Sequence, residues 1–146
     1  MNALKDYTTR SFLAALGAAA VLLAGYSGAA FSGEVKVTLS GSQEVPAVTT
    51  SASGSGTITI GDDKSVSGSV TTTGVAGVAA HIHVGAAGKN GPVIVPLAKT
   101  ADNTWSVSPG AKLTDAQYES FKAGDLYVNV HSAANKGGEI RGQLKP

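Results

Sequence analysis

Cysteine is absent from the 146 residues. That excludes disulfides, thiolate metal sites, iron–sulfur clusters and cysteine nucleophiles together. Charge is also scarce: Lys, Arg, Asp and Glu make up 14 % of the chain, and aromatic residues only 5 %. The net charge is +1 without any basic block, which removes an electrostatic grip on nucleic acid. What the chain does have is 42 % hydrophobic residues, 19 Gly and a heavy load of Ser, Thr and Val. This mixture is too apolar for a disordered chain and too rich in Gly and β-branched residues for a helical bundle. The length suits one β-rich domain. Its chemistry must come from His, carboxylates, hydroxyls and the backbone.

Residues 1–30 read as a secretory signal peptide. Lys5 and Arg10 make a basic head, Phe12 to Gly25 (FLAALGAAAVLLAG) an apolar run, and YSGAA a stretch of small residues, the three parts an export signal needs. Gly28 and Ala30 suit the positions a signal peptidase reads, so the mature chain is expected to start near Phe31. The alternative is an uncleaved anchor, since Phe12 to Phe31 just reaches across a bilayer; the weakly hydrophobic Gly- and Ala-rich end of the run argues against it. Tyr26 stands where a lipoprotein would carry its acylated Cys. Loss of Lys5, Asp6 and Arg10 with the signal leaves nine basic and nine acidic side chains. A neutral surface has no long-range pull toward DNA or acidic membranes. The expected product is a single domain over residues 31–146, periplasmic or extracellular, with no membrane attachment after cleavage.

Apolar and polar residues alternate in Glu34–Ser40 (EVKVTLS), which puts Val35, Val37 and Leu39 on one face of a strand. Similar runs are Gly56–Ile60, Ser65–Thr72, Ala79–Val84, Pro92–Leu97, Thr104–Val107, Leu126–His131 and Glu139–Leu144. Gly-, Asp-, Asn- and Pro-rich turns separate them. Eight short strands at this spacing suit an antiparallel sandwich or barrel. One segment differs: in Leu113–Gly124 (LTDAQYESFKAG), Thr114 and Gln117 form a capping box. Leu113 can staple onto Tyr118, and Gly124 can take the left-handed position after the helix. We read it as a short helix plugging one open end of the fold.

The three histidines are the informative residues. In His81-Ile82-His83 the two imidazoles share one face of a strand while Ile82 points to the opposite layer. In the run LYVNVHS, Leu126, Val128 and Val130 take the core face, leaving Tyr127, Asn129 and His131 on the other. If the two strands pair or face each other at matching height, three imidazoles converge. Neutral imidazole suits Cu(II) and Zn(II), and three such ligands leave a coordination position open for chemistry. The competing explanation is structural: His81 and His131 half-buried and hydrogen-bonded across strands.

The segments SGSQEVPAV, AAHIHVGAAGKNGPVIVPL, LTDAQYESFKAGDLYVNVHS and GGEIRGQL, in that order, resemble the CHRD domain, the chordin-type module also found in exported bacterial proteins. The resemblance covers Val35 to Leu144. A fainter one is to the copper half of Cu,Zn superoxide dismutases: an HxH strand, then a V-x-V-H strand followed by glycines and an Arg. That similarity implies an all-β, antiparallel Greek-key β-sandwich of about eight strands, superoxide-dismutase-like or immunoglobulin-like, here with one short helix. It also implies that His81, His83 and His131 ligate copper, with zinc as the other candidate, and that Arg141 guides an anion. No fourth His, no zinc loop and no Cys pair are present, so a full dismutase is not supported.

Around this candidate centre, Glu139 and Arg141 share a predicted strand face. Arg141 could hold an anion near the metal and Glu139 could orient an imidazole. The structural reading, Arg141 forked onto Glu44 or Glu139 to fix the last strand, is the favoured one. Asn129 faces the side of His131 and can hydrogen-bond a ligand or a loop. Two functions follow from different classes. One is metal binding in copper handling, or redox chemistry on small oxygen species. The other is a non-enzymatic interaction module for a protein partner, with structural histidines.

Overall fold

A computed structural model describes residues 33–146; the signal-peptide expectation lies outside these residues. None of the described helices is long and apolar enough to cross a membrane. The elements are β1 (Gly33–Ser40), a 3-10 turn (Gly41–Gln43), β2 (Ser53–Ile60), β3 (Val66–Thr73) and β4 (Gly77–Val84). They continue as β5 (Val93–Ala101), β6 (Thr104–Val107), α1 (Asp115–Lys122), β7 (Leu126–Ser132) and β8 (Ile140–Leu144). The eight antiparallel strands and one helix match the sequence expectation. Of the sandwich and the barrel that the strand spacing allows, the arrangement is the barrel.

The strands close into one barrel in the order β1-β2-β3-β6-β5-β4-β7-β8, not into the two facing sheets of the expected Greek-key sandwich. Alternation cannot separate the two, because each buries one face of every strand. Closure is made where Ser40 of β1 meets Arg141 of β8. Gly142 makes it sterically feasible: a Cβ there would lie 2.5 Å from the Thr38 carbonyl oxygen. Between β2 and β3, Gly68 adopts φ +115°, with its Cβ position 2.1 Å from the Thr57 carbonyl oxygen. Glycines at such points let a sheet coil tightly enough to close.

Inward-facing Leu39, Ile58, Ile60, Val70, Ile82, Leu126, Val128, Val130, Ile140 and Leu144 fill the barrel. Trp105 also lies in the core. The capping box of α1 forms as expected, Gln117 N donating to Thr114 Oγ1 (3.2 Å) and Thr114 N to Gln117 Oε1 (2.9 Å). Gly124 takes φ +80° just past the helix. Phe121 is buried and its ring occupies the space beside Gly33 at the start of β1, so the helix does cover one end of the barrel.

One stretch of the outer surface is not solvent-facing. Both faces of β7 are buried through Val130, and Arg141 on β8 is buried with them. Loops fold over the outside of β4, β7 and β8, and the histidines lie beneath and beside them.

Candidate metal centre

β4 and β7 are antiparallel neighbours, with Ala79 opposite His131, His81 opposite Asn129 and His83 opposite Tyr127. His131 is therefore diagonal to His81, two residues along the ladder on the same face, where long side chains meet. One nitrogen of each imidazole lies within 4.8 Å of the other two. His81 Nδ1 and His131 Nε2 are 3.0 Å apart, already the roughly 3 Å separation of two ligands sharing one ion.

Hydrogen bonds select the atoms that face inward. His83 Nδ1 donates to the Gly91 carbonyl (2.9 Å) and His131 Nδ1 to the Lys136 carbonyl (2.8 Å). A carbonyl accepts only, so each Nδ1 carries the proton and each Nε2 a free lone pair. Between His81 and His131 the proton must then sit on His81 Nδ1. Binding an ion there requires only that His81 move this proton to its other ring nitrogen. His83 Nε2 is buried and has no hydrogen-bond partner among the described residues, and a bare, buried lone pair is what a metal ligand presents.

The electrostatics favour the ligating form. Burial pushes the His81 pKa below its ordinary value, and the charges of His131 and His83 push the same way. Burial also lowers that of His83 against the opposing effects of the Gly91 carbonyl bond and the neighbouring Asn129 side chain, and His131 and Arg141 add to the lowering. Both rings are held neutral near pH 7. His83 is only 7 % exposed, whereas His81 and His131 are half-buried, so the open side of the triad faces solvent. These three side chains could together hold a metal ion.

The remaining candidates separate. Arg141 is 1 % exposed; its guanidinium donates to the Ala86 carbonyl (3.0 Å), Gln143 Oε1 (3.2 Å) and Asn90 Oδ1 (3.5 Å). It ties β8 to the loop after β4 through carbonyl and amide oxygens. Among the described residues the ion pairs are Lys64–Asp115 and Lys122–Glu119; neither Glu44 nor Glu139 forks onto Arg141. Glu139 precedes β8 and accepts from Thr50 Oγ1 (2.9 Å). Bonds from Ser132, Thr50 and Asn135 hold its carboxyl below the usual range. Asn129 is fully buried between β4 and β8, its amide donating to the Gly137 carbonyl (3.4 Å). The imidazoles are thus oriented by the carbonyls of Gly91 and Lys136.

Two participants were not assigned from the sequence. Tyr127 stacks parallel on His83, ring centroids 4.7 Å apart with 6° between planes. Glu44 is 6 % exposed and lies near enough to Arg141 and Asn129 to feel both, yet burial raises its carboxyl pKa to about 7. Tyr127 was legible only as a residue on the face of His131; its register against β4 was not.

The family profile of the CHRD domain matches residues 35–144. No curated protein and no solved structure gives a significant match, so the likeness to the dismutase copper half rests on the residue pattern alone.

Proposed function

Because this chain belongs to the CHRD domain family, and because its histidines meet on one barrel face, we propose an exported metal-binding domain. His81, His83 and His131 ligate copper, with zinc the second candidate, and the protein works in the periplasm or outside the cell. The observation that carries the reading is the convergence of three imidazole nitrogens, with the far nitrogens of His83 and His131 tied to carbonyls and the His83 Nε2 itself buried without a hydrogen bond. Copper heads the affinity order of divalent ions for such ligands. Once bound, it would supply Lewis acidity or one-electron chemistry at the solvent-facing position, suiting copper handling or redox chemistry on small oxygen species. Asn129 and Arg141 keep the loops packed over the site. Glu139 anchors the turn whose Lys136 carbonyl holds His131.

The test is the Cu(II) electron paramagnetic resonance spectrum of the purified protein beside that of His83→Ala. Nitrogen hyperfine structure from the wild type and its loss or change in the variant are expected. An unchanged signal in the variant, or stoichiometric binding that survives removal of all three histidines, defeats the assignment.

A second reading, a non-enzymatic module for a protein partner, is favoured by one specific contact. The bond between His81 and His131 is complete without any ion. It predicts that metal-free His81→Ala/His131→Ala melts below metal-free wild type while partner binding survives. Equal melting temperatures count against it.

A further inference from the structure

The most densely built feature outside the triad is a three-layer stack behind His83. Tyr127, 2 % exposed, lies parallel to the imidazole. The Arg141 Cζ sits 3.5 Å from the centre of the Tyr127 ring. His83 comes from β4 and Arg141 from β8, which flank β7 on opposite sides, so the phenol ring is sandwiched between imidazole and guanidinium. Parallel stacking fixes the tilt of a ring, and a guanidinium over the opposite face is an attractive cation–π contact.

The same residues govern the spin of the imidazole. Gly91 N donates to the Tyr127 hydroxyl (3.2 Å), while the Gly91 carbonyl takes the proton of His83 Nδ1 (2.9 Å). Arg141 holds Ala86 and Asn90 of that loop, and Gln143 Nε2 donates to the Gly85 carbonyl (2.7 Å). The loop is therefore pinned along its length, with the Gly91 carbonyl aimed at His83.

We infer that Tyr127, backed by Arg141, is a positioning residue that holds His83 flat and turned so that Nε2 is the ligand atom. The metal-centred part of this inference rests on the proposed copper site. The orientation of the ring does not. A core aromatic would need neither a charged partner on one face nor a hydroxyl bonded to the residue that sets the imidazole tautomer.

The experiment compares wild type, Tyr127→Phe, Tyr127→Leu and Arg141→Lys by two readouts. Metal-free, the imidazole ¹⁵N shifts report the tautomer. Wild type and Tyr127→Phe are expected to hold His83 as the single Nδ1–H form, and Tyr127→Leu to show averaging. With Cu(II), Tyr127→Leu should bind about tenfold more weakly with altered hyperfine splitting, the size typical of lost support behind a ligand. Retention of the signals by the phenyl ring assigns the effect to the stacked ring rather than to the hydroxyl, and the tautomer readout separates positioning from simple packing. If Tyr127→Leu does not fold, Arg141→Lys, which keeps the charge but loses the flat stack, should move the same signals by a smaller amount. A folded Tyr127→Leu that keeps the wild-type tautomer and hyperfine splitting, or a folded Arg141→Lys that does so where Tyr127→Leu fails to fold, overturns the inference. A wild type that shows no triad coordination sinks the copper reading instead, and the tautomer measurement still decides whether Tyr127 positions His83.

Discussion

Glu44 is the residue whose environment differs most from its ordinary one. Burial raises its pKa from 4.5 to about 7, and Arg141 and Asn129 offset only part of that. Between these values the folded protein keeps a proton that the unfolded chain has released, so stability falls as pH rises from 4.5 to 7. Two and a half pKa units correspond to a loss on the order of 3 kcal/mol. Lowered pKa values at His81 and His83 act in the opposite direction, costing stability as pH falls below about 6.5. Glu44→Gln leaves the imidazole contribution in place and removes only the carboxyl one. Its urea midpoint should gain on wild type between pH 5 and pH 8; parallel pH dependences would show that the carboxyl is not buried as described. From the sequence, Glu44 was a candidate ion-pair partner of Arg141 and no more. Its acidity depends on its burial, and Asn129, Gly138 and Arg141 around it lie 85 or more positions along the chain.

At the scale of elements, α1 shows local chemistry acting alone. Thr114 and Gln117 satisfy each other's backbone donors, and this pairing needs only four consecutive residues. Thr114→Ala should cost about 1 kcal/mol, read as a lower urea midpoint with unchanged slope; an unaltered midpoint would mean the cap does not carry the helix. The strands divide by how local their signals are. β6 begins and ends at the expected residues, and β7 starts where its alternation does. β2 begins three residues before expectation, since Ser53-Gly54-Ser55 reads as turn composition but pairs with Ser40, Leu39 and Thr38. β5 continues four residues past Leu97, drawn on by pairing with β6. Partner strands overrode composition at both places.

For the whole molecule, closure is the property with most consequence. β8 reaches β1 at the close approach of Gly142 to the Thr38 carbonyl. Gly142→Ala puts a methyl group where main chain already stands and should destabilise by about 2 kcal/mol. Chemical denaturation would measure this, and wild-type stability in the variant would argue for an open sheet. Arg141 stands at this seam and, through the β7–β8 ladder, beside β7, so the seam of the barrel and the support of His83 share one strand.

By itself the sequence determined the alternation of the strands, the capped helix and the placing of His81 with His83 on one face and Tyr127, Asn129 and His131 on another. Each follows from a period of two or a turn of backbone, interactions that span a few residues. Only the tertiary structure decided that β4 lies beside β7, that the sheet closes, that Arg141 is buried beneath a loop on the outer face, and which ring nitrogens are tied to carbonyls. Those outcomes depend on the register between segments 50 to 100 residues apart, and a strand's own pattern is satisfied equally well by several neighbours.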